Sequence, residues 1–119
     1  MTLRECYESI GSDYEQTLTR MCNKEDMLLK FAKKFTTDPT FSGLVAAFKD
    51  GDMLTAFRMA HTLKGLCLNL GLDKLRASSV ELTEALRHTD DIAPNAHELF
   101  EQVKQDYEFT VNALNSVDG

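Results

Sequence analysis

The sequence predicts an all-α fold, and two observations carry that expectation. Apolar residues recur at three- and four-residue spacing almost throughout, and only two prolines and six glycines punctuate the 119 residues. Four longer helical segments with short connections imply an antiparallel four-helix bundle, with additional short N-terminal helices.

Leu3, Cys6, Tyr7 and Ile10 mark a short first helix, with Gly11 as its stop. Ser12-Asp13-Tyr14-Glu15 has capping-box form and opens a second short helix over Tyr14, Leu18 and Met21. Asn23 is placed to cap a third, whose apolar face is Met27, Leu28, Phe31 and Phe35. Asp38-Pro39 starts a fourth, with Phe41, Leu44, Val45 and Phe48 inward and Gly51 at its end. Asp52 caps the next helix, which runs to Gly71, where a missing Cβ makes a left-handed residue cheap. Leu75, Ser79, Leu82 and Leu86 define a further helix closing near His88. Thr89-Asp90-Asp91 breaks the pattern. Pro94 then fits the first turn of a long last helix carrying Leu99, Phe100, Val103, Tyr107, Val111 and Leu114, after which Ser116 to Gly119 are expected to fray.

Length and a 43% apolar share suit one domain, residues 1–119, around a single core. No window approaches the ~20 consecutive apolar residues of a membrane span, and Met1 to Cys6 lacks the apolar stretch of a secretory signal, so a cytoplasmic location is expected. Cys6, Cys22 and Cys67 are odd in number and lack C-x-x-C spacing, which points to small hydrophobes rather than a disulfide framework or a zinc site. The net charge of −6, with basic residues scattered, argues against nucleic acid and anionic membranes as partners.

The informative segment is Ala60-His61-Thr62-Leu63-Lys64-Gly65-Leu66-Cys67-Leu68-Asn69-Leu70-Gly71. Gly65 costs about 1 kcal/mol relative to Ala inside a helix, so something other than propensity favours it. At about 100° per residue, Leu54, Phe57, Lys64, Gly65 and Leu68 all fall within about 60° of His61. Ala56, Met59, Leu63, Leu66 and Leu70 fall on the opposite, core-facing side, which leaves His61 exposed. A phosphoryl carrier needs a neutral imidazole, open approach to it, and a cation for the transferred oxygens. His61, Gly65 and Lys64 supply these in turn, while Leu54, Phe57 and Leu68 form an apolar surround suited to protein docking, with coverage of Phe57 and Leu68 by the N-terminal helices as the alternative reading.

The His-x-x-Lys-Gly core, with Gly71 ten residues after the histidine, resembles the histidine-containing phosphotransfer family, bacterial stand-alone type. Looser similarity runs from Gly11-Ser12-Asp13-Tyr14 through Phe35 and Asp38 to Glu84-Ala85-Leu86-Arg87. The resemblance implies a phosphorelay intermediate in two-component signalling. Its phosphoacceptor is His61, its phosphoryl-contacting residue Lys64 and its access-giving residue Gly65. It also implies no bound cofactor, Mg²⁺ supplied by the partner receiver, and response-regulator receiver domains with a hybrid histidine kinase as partners. Some members place a glutamine on the neighbouring helix to bond the histidine ring, whereas this chain reads Val80-Glu81-Leu82-Thr83-Glu84 there. Thr83 or Glu84 is the available substitute.

His88 at a helix end and His97 near a helix start have no ligand-like companions, so a solvent or structural role is expected and no metal site. Cys67 has no histidine at i±4 to activate it. No Gly-rich phosphate loop or kinase nucleotide motif occurs, so autonomous kinase activity is not expected. The resemblance implies a phosphocarrier, and a monomer is expected. Two alternatives stand beside the relay. A non-catalytic helical adaptor would be favoured by a buried His61, and a domain phosphorylated in trans by a histidine kinase is disfavoured by the short tail after Leu114.

Overall fold

Unpaired backbone groups at helix ends need partners, and the way this chain supplies them orders its elements. The computed structural model describes residues 1–118 and contains seven helices among them, with no strand. These are α1 (Leu3–Ser9), α2 (Tyr14–Arg20), α3 (Glu25–Phe35), α4 (Thr40–Asp50), α5 (Met53–Leu70), α6 (Asp73–Leu86) and α7 (Ala96–Asn115). Helix α5 packs against both α4 and α6, and α6 packs against α7. Phe41 and Phe48 of α4 stack on Tyr107 and Phe100 of α7, with ring centroids 3.9 and 4.3 Å apart, which brings the first and last of these four helices together. No helix among the described residues is long and apolar enough to cross a membrane.

Helix α5 is closed at both ends as its sequence predicts. The Asp52 carboxylate accepts from the Thr55 backbone N–H at 3.1 Å and from its hydroxyl at 2.7 Å. These two bonds, the hydroxyl first, hold the Asp52 carboxyl below its ordinary range. At the other end Gly71 adopts φ +68°. The Leu72 N–H reaches the Cys67 carbonyl at 2.9 Å, and the Gly71 N–H reaches that of Leu68 at 3.4 Å, a Schellman arrangement.

The N-terminal helices complete this second closure. The buried Tyr7 hydroxyl donates to the Leu70 carbonyl at 2.6 Å, and Arg20 donates to the Leu68 carbonyl at 3.0 Å. Thr17 of α2 lies against Gly71, where a Cβ would stand 1.9 Å from its Oγ1. Helices α1 and α2 therefore act as a cap on α5.

Several local expectations are corrected. Asp13, not Ser12, caps α2 by accepting from the Gln16 N–H, because the Ser12 hydroxyl accepts from the Asp73 N–H at the start of α6. The capping box of the chain lies at Thr2 and Glu5 instead. Asn23 does not cap α3: it takes a left-handed turn conformation, φ +59°, and Lys24 occupies the cap position without a side-chain bond. On α3 Leu28, Ala32 and Phe35 are buried, whereas Met27 is half-buried and Phe31 exposed. Pro94 precedes α7 rather than standing in its first turn, since Asn95 is the cap.

The C-terminal segment is tied down as far as Asp118. Val117 is buried, Lys33 donates to the Leu114 and Val117 carbonyls, and the Asp118 N–H bonds the Met1 carbonyl at 3.0 Å. Gly119 lies outside the described residues.

Gly71→Ala is expected to cost about 2 to 4 kcal/mol in urea unfolding, from left-handed strain plus the clash with Thr17. Gly51→Ala, also at positive φ but with open space around the added Cβ, should cost only about 1 kcal/mol. Equal costs at the two positions would show that the Thr17 contact is not tight.

Candidate functional site

The orientation of α5 follows from which of its residues the neighbouring helices cover. Ala56, Ala60, Leu63, Cys67 and Leu70 are buried, a stripe at four- and three-residue spacing. Met59 and Leu66, expected in the core, are only half-buried, and Ala60 and Cys67 take the central places instead. The stripe is therefore rotated relative to the sequence reading. Small side chains at 56 and 60 let neighbouring helices approach, while the bulkier Met59 and Leu66 are left at its borders. Burial pushes the Cys67 thiol up to about 12, so it stays protonated and unreactive at neutral pH.

His61 emerges mid-helix on the opposite face and is exposed. Lys64 and Gly65 follow one turn later, both half-buried. A Cβ added at Gly65 would meet nothing within 4 Å, so the space beside the ring is open and no packing demand explains the glycine. Leu54 and Leu68 are 48% and 46% exposed, so the N-terminal helices do not cover them. Phe57 is half-buried and lies near-parallel to the His61 ring, with centroids 6.3 Å apart and planes at 27°.

Neither residue expected to orient the ring does so by hydrogen bonding. The Thr83 hydroxyl is fully buried and donates to the Ser79 carbonyl at 2.7 Å. Glu84 accepts two bonds from Arg87, at 2.6 Å and 3.1 Å. Those bonds, followed by the charges of Arg87 and Lys64, hold the Glu84 carboxyl below its usual range. The Arg87 guanidinium in turn stands 5.6 Å from the Phe57 ring centroid. Arg87 is the residue that sequence reasoning missed. Its only local signal is the three-residue spacing to Glu84, which gives no hint of a contact with α5.

His88 and His97 are both exposed, and His97 stands beside Phe48 and Phe100. No group of three or more His, Cys, Asp or Glu side chains is gathered among the described residues. A cavity of about 510 Å³, lined by Met21, Phe31, Phe35, Leu66 and Leu70 among others, does not include His61. His61 thus stands on the open surface outside that cavity, a geometry that admits a macromolecular partner rather than enclosing a small substrate.

Comparison with known proteins agrees with this geometry. The family model for the Hpt domain matches residues 35–112, more than half of the chain. The chain belongs to the Hpt domain family. Hpt domains serve histidine phosphotransfer in two-component signalling and interact there with receiver domains and histidine kinases. The matched segment begins at the last residue of α3 and contains α4, α5, α6 and most of α7, so it includes the whole of the His61 surface. No curated protein and no solved structure matches the chain.

Because Gly65 has no packing role on this surface, Gly65→Ala is expected to stabilise the protein by about 0.5 to 1 kcal/mol through helix propensity. Urea unfolding reads this directly. A destabilised variant would show that the glycine is required by packing.

Proposed function

We propose that this Hpt domain is a phosphorelay intermediate, built as an antiparallel four-helix bundle of α4 to α7 with α1 and α2 capping one end. It takes a phosphoryl group on His61 from the aspartyl phosphate of one receiver and passes it to another response regulator. The observation that carries this reading is the placement of an exposed histidine mid-helix on α5, with a lysine and an open glycine one turn away. Exposure weighs against the adaptor alternative, which a buried His61 would favour.

In the forward step the unprotonated nitrogen of the neutral imidazole attacks phosphorus in line, the bond from phosphorus to the receiver's aspartyl oxygen breaks, and a carboxylate leaves. Lys64 steadies the oxygens of the moving group as a point charge, and Gly65 leaves the approach unobstructed. Leu54, Phe57 and Leu68 supply an apolar docking surface for the receiver, and the reverse sequence loads the next one. Mg²⁺ enters with the receiver, whose own chemistry it serves. The domain acts as a monomer, and a hybrid histidine kinase is the upstream source of the phosphoryl group.

Incubation with a phosphorylated receiver and Mg²⁺ should give an acid-labile, base-stable adduct that is lost in His61→Gln. Label persisting in that variant would exclude His61 as acceptor. Lys64→Ala should slow transfer about 10- to 100-fold with helicity intact, and Gly65→Ala should slow it despite the added stability. Unchanged rates in both variants would remove their assigned roles.

A further inference from the structure

An exposed histidine is a poor nucleophile for in-line transfer unless its ring is held, because rotation about its second side-chain torsion is broad and misalignment is costly. Among the described residues no hydrogen bond reaches the His61 ring, and the two side chains expected to provide one are committed elsewhere, Thr83 to Ser79 and Glu84 to Arg87. The contact the ring does have is with Phe57, one turn earlier on the same helix, at a separation and tilt within the range of offset aromatic pairs.

Phe57 is itself held from the neighbouring helix. Arg87, just past the end of α6, lies within cation–π reach of its ring, and Glu84 of α6 grips the guanidinium through two nitrogens, fixing the plane of the fork. A chain of contacts thus runs from Glu84 through Arg87 and Phe57 to His61, linking the reactive ring to a second helix. The Glu84 charge also balances that of Arg87.

Resting on the reading of His61 as phosphoacceptor, we infer that Phe57, clamped by the Glu84–Arg87 pair, is the positioning residue for the His61 ring, acting by ring contact rather than by a hydrogen bond. This role is additional to the docking surface that Phe57 shares with Leu54 and Leu68, and the two are separable. A docking residue changes the concentration of receiver needed for half-maximal transfer, whereas a positioning residue changes the rate within the complex.

Single-turnover transfer from a phosphorylated receiver, measured across receiver concentration, separates the two. Phe57→Leu keeps the apolar bulk but removes the flat ring. It should lower the maximal rate roughly three- to tenfold while shifting the half-maximal concentration less than about twofold. Phe57→Tyr should retain the wild-type rate, and Arg87→Ala should reproduce most of the loss. Adding Arg87→Ala to Phe57→Leu should bring little further slowing, because both act through one contact chain. A wild-type maximal rate in Phe57→Leu, or a shift in half-maximal concentration alone, would overturn the inference, as would fully multiplicative effects in the double variant. In the unphosphorylated protein, NMR side-chain couplings should show His61 rotamer averaging increased in Phe57→Leu and in Arg87→Ala; unchanged couplings in both would also overturn it. Should Phe57→Leu fail to fold, Arg87→Ala, at an exposed position, carries the same test. A wild-type protein that takes no label on His61 would instead defeat the functional reading itself, while the couplings would still report on the ring.

Discussion

The burial of one stripe on α5 is the constraint on which the rest of the molecule depends. Ala56, Ala60, Leu63, Cys67 and Leu70 turn inward, and a helix with 3.6 residues per turn then has no freedom left over which residues turn outward. Truncating Leu63 alone would remove roughly 2 to 5 kcal/mol, a large share of the stability of a domain this size. The same packing that folds the chain therefore aims His61 at solvent.

Rotation of α5 about its own axis is fixed by the stripe, and its position along that axis is fixed by its ends. Asp52 satisfies donors at one terminus. At the other, Tyr7 and Arg20 satisfy carbonyls that would otherwise lack partners, and Thr17 closes over Gly71. These contacts give the first two helices a structural purpose even though they lie outside the segment shared with the family. They also leave the His61 face open, because they meet α5 at its far end.

Much of this was legible in the sequence where the governing chemistry is local. Helical periodicity identified the fold class, and Gly51, Asp52 and Gly71 marked the ends of α4 and α5, since caps and left-handed turns need particular residue types. His61, Lys64 and Gly65 were legible for the same reason, as they share one turn of one helix. What failed depended on distant partners. Ser12 resembled a cap but serves the start of α6, and the C-terminal residues looked free but meet Met1 and Lys33. The apolar residues of α5 spread too widely around the helix for periodicity alone to choose between Leu66 and Cys67 for the interior. Periodicity also missed the buried polar positions Ser78, Thr83, Asp106 and Thr110 on α6 and α7, which sit where apolar residues would be expected. Arg87 escaped notice because its partner ring belongs to another helix.

As the phosphoacceptor proposed above, His61 stands on a preformed surface of a fixed helix and needs no rearrangement of the core to be loaded. Amide NMR spectra of the protein before and after phosphoryl loading test this most directly. Shifts should be confined to the segment around His61, from Leu54 to Leu68, and to the end of α6 with the residues just after it, Glu84 to His88, with α1, α3 and α7 unmoved. Broad shifts spreading into α1 and α7 would contradict the account, since they would mean that loading His61 repacks the bundle.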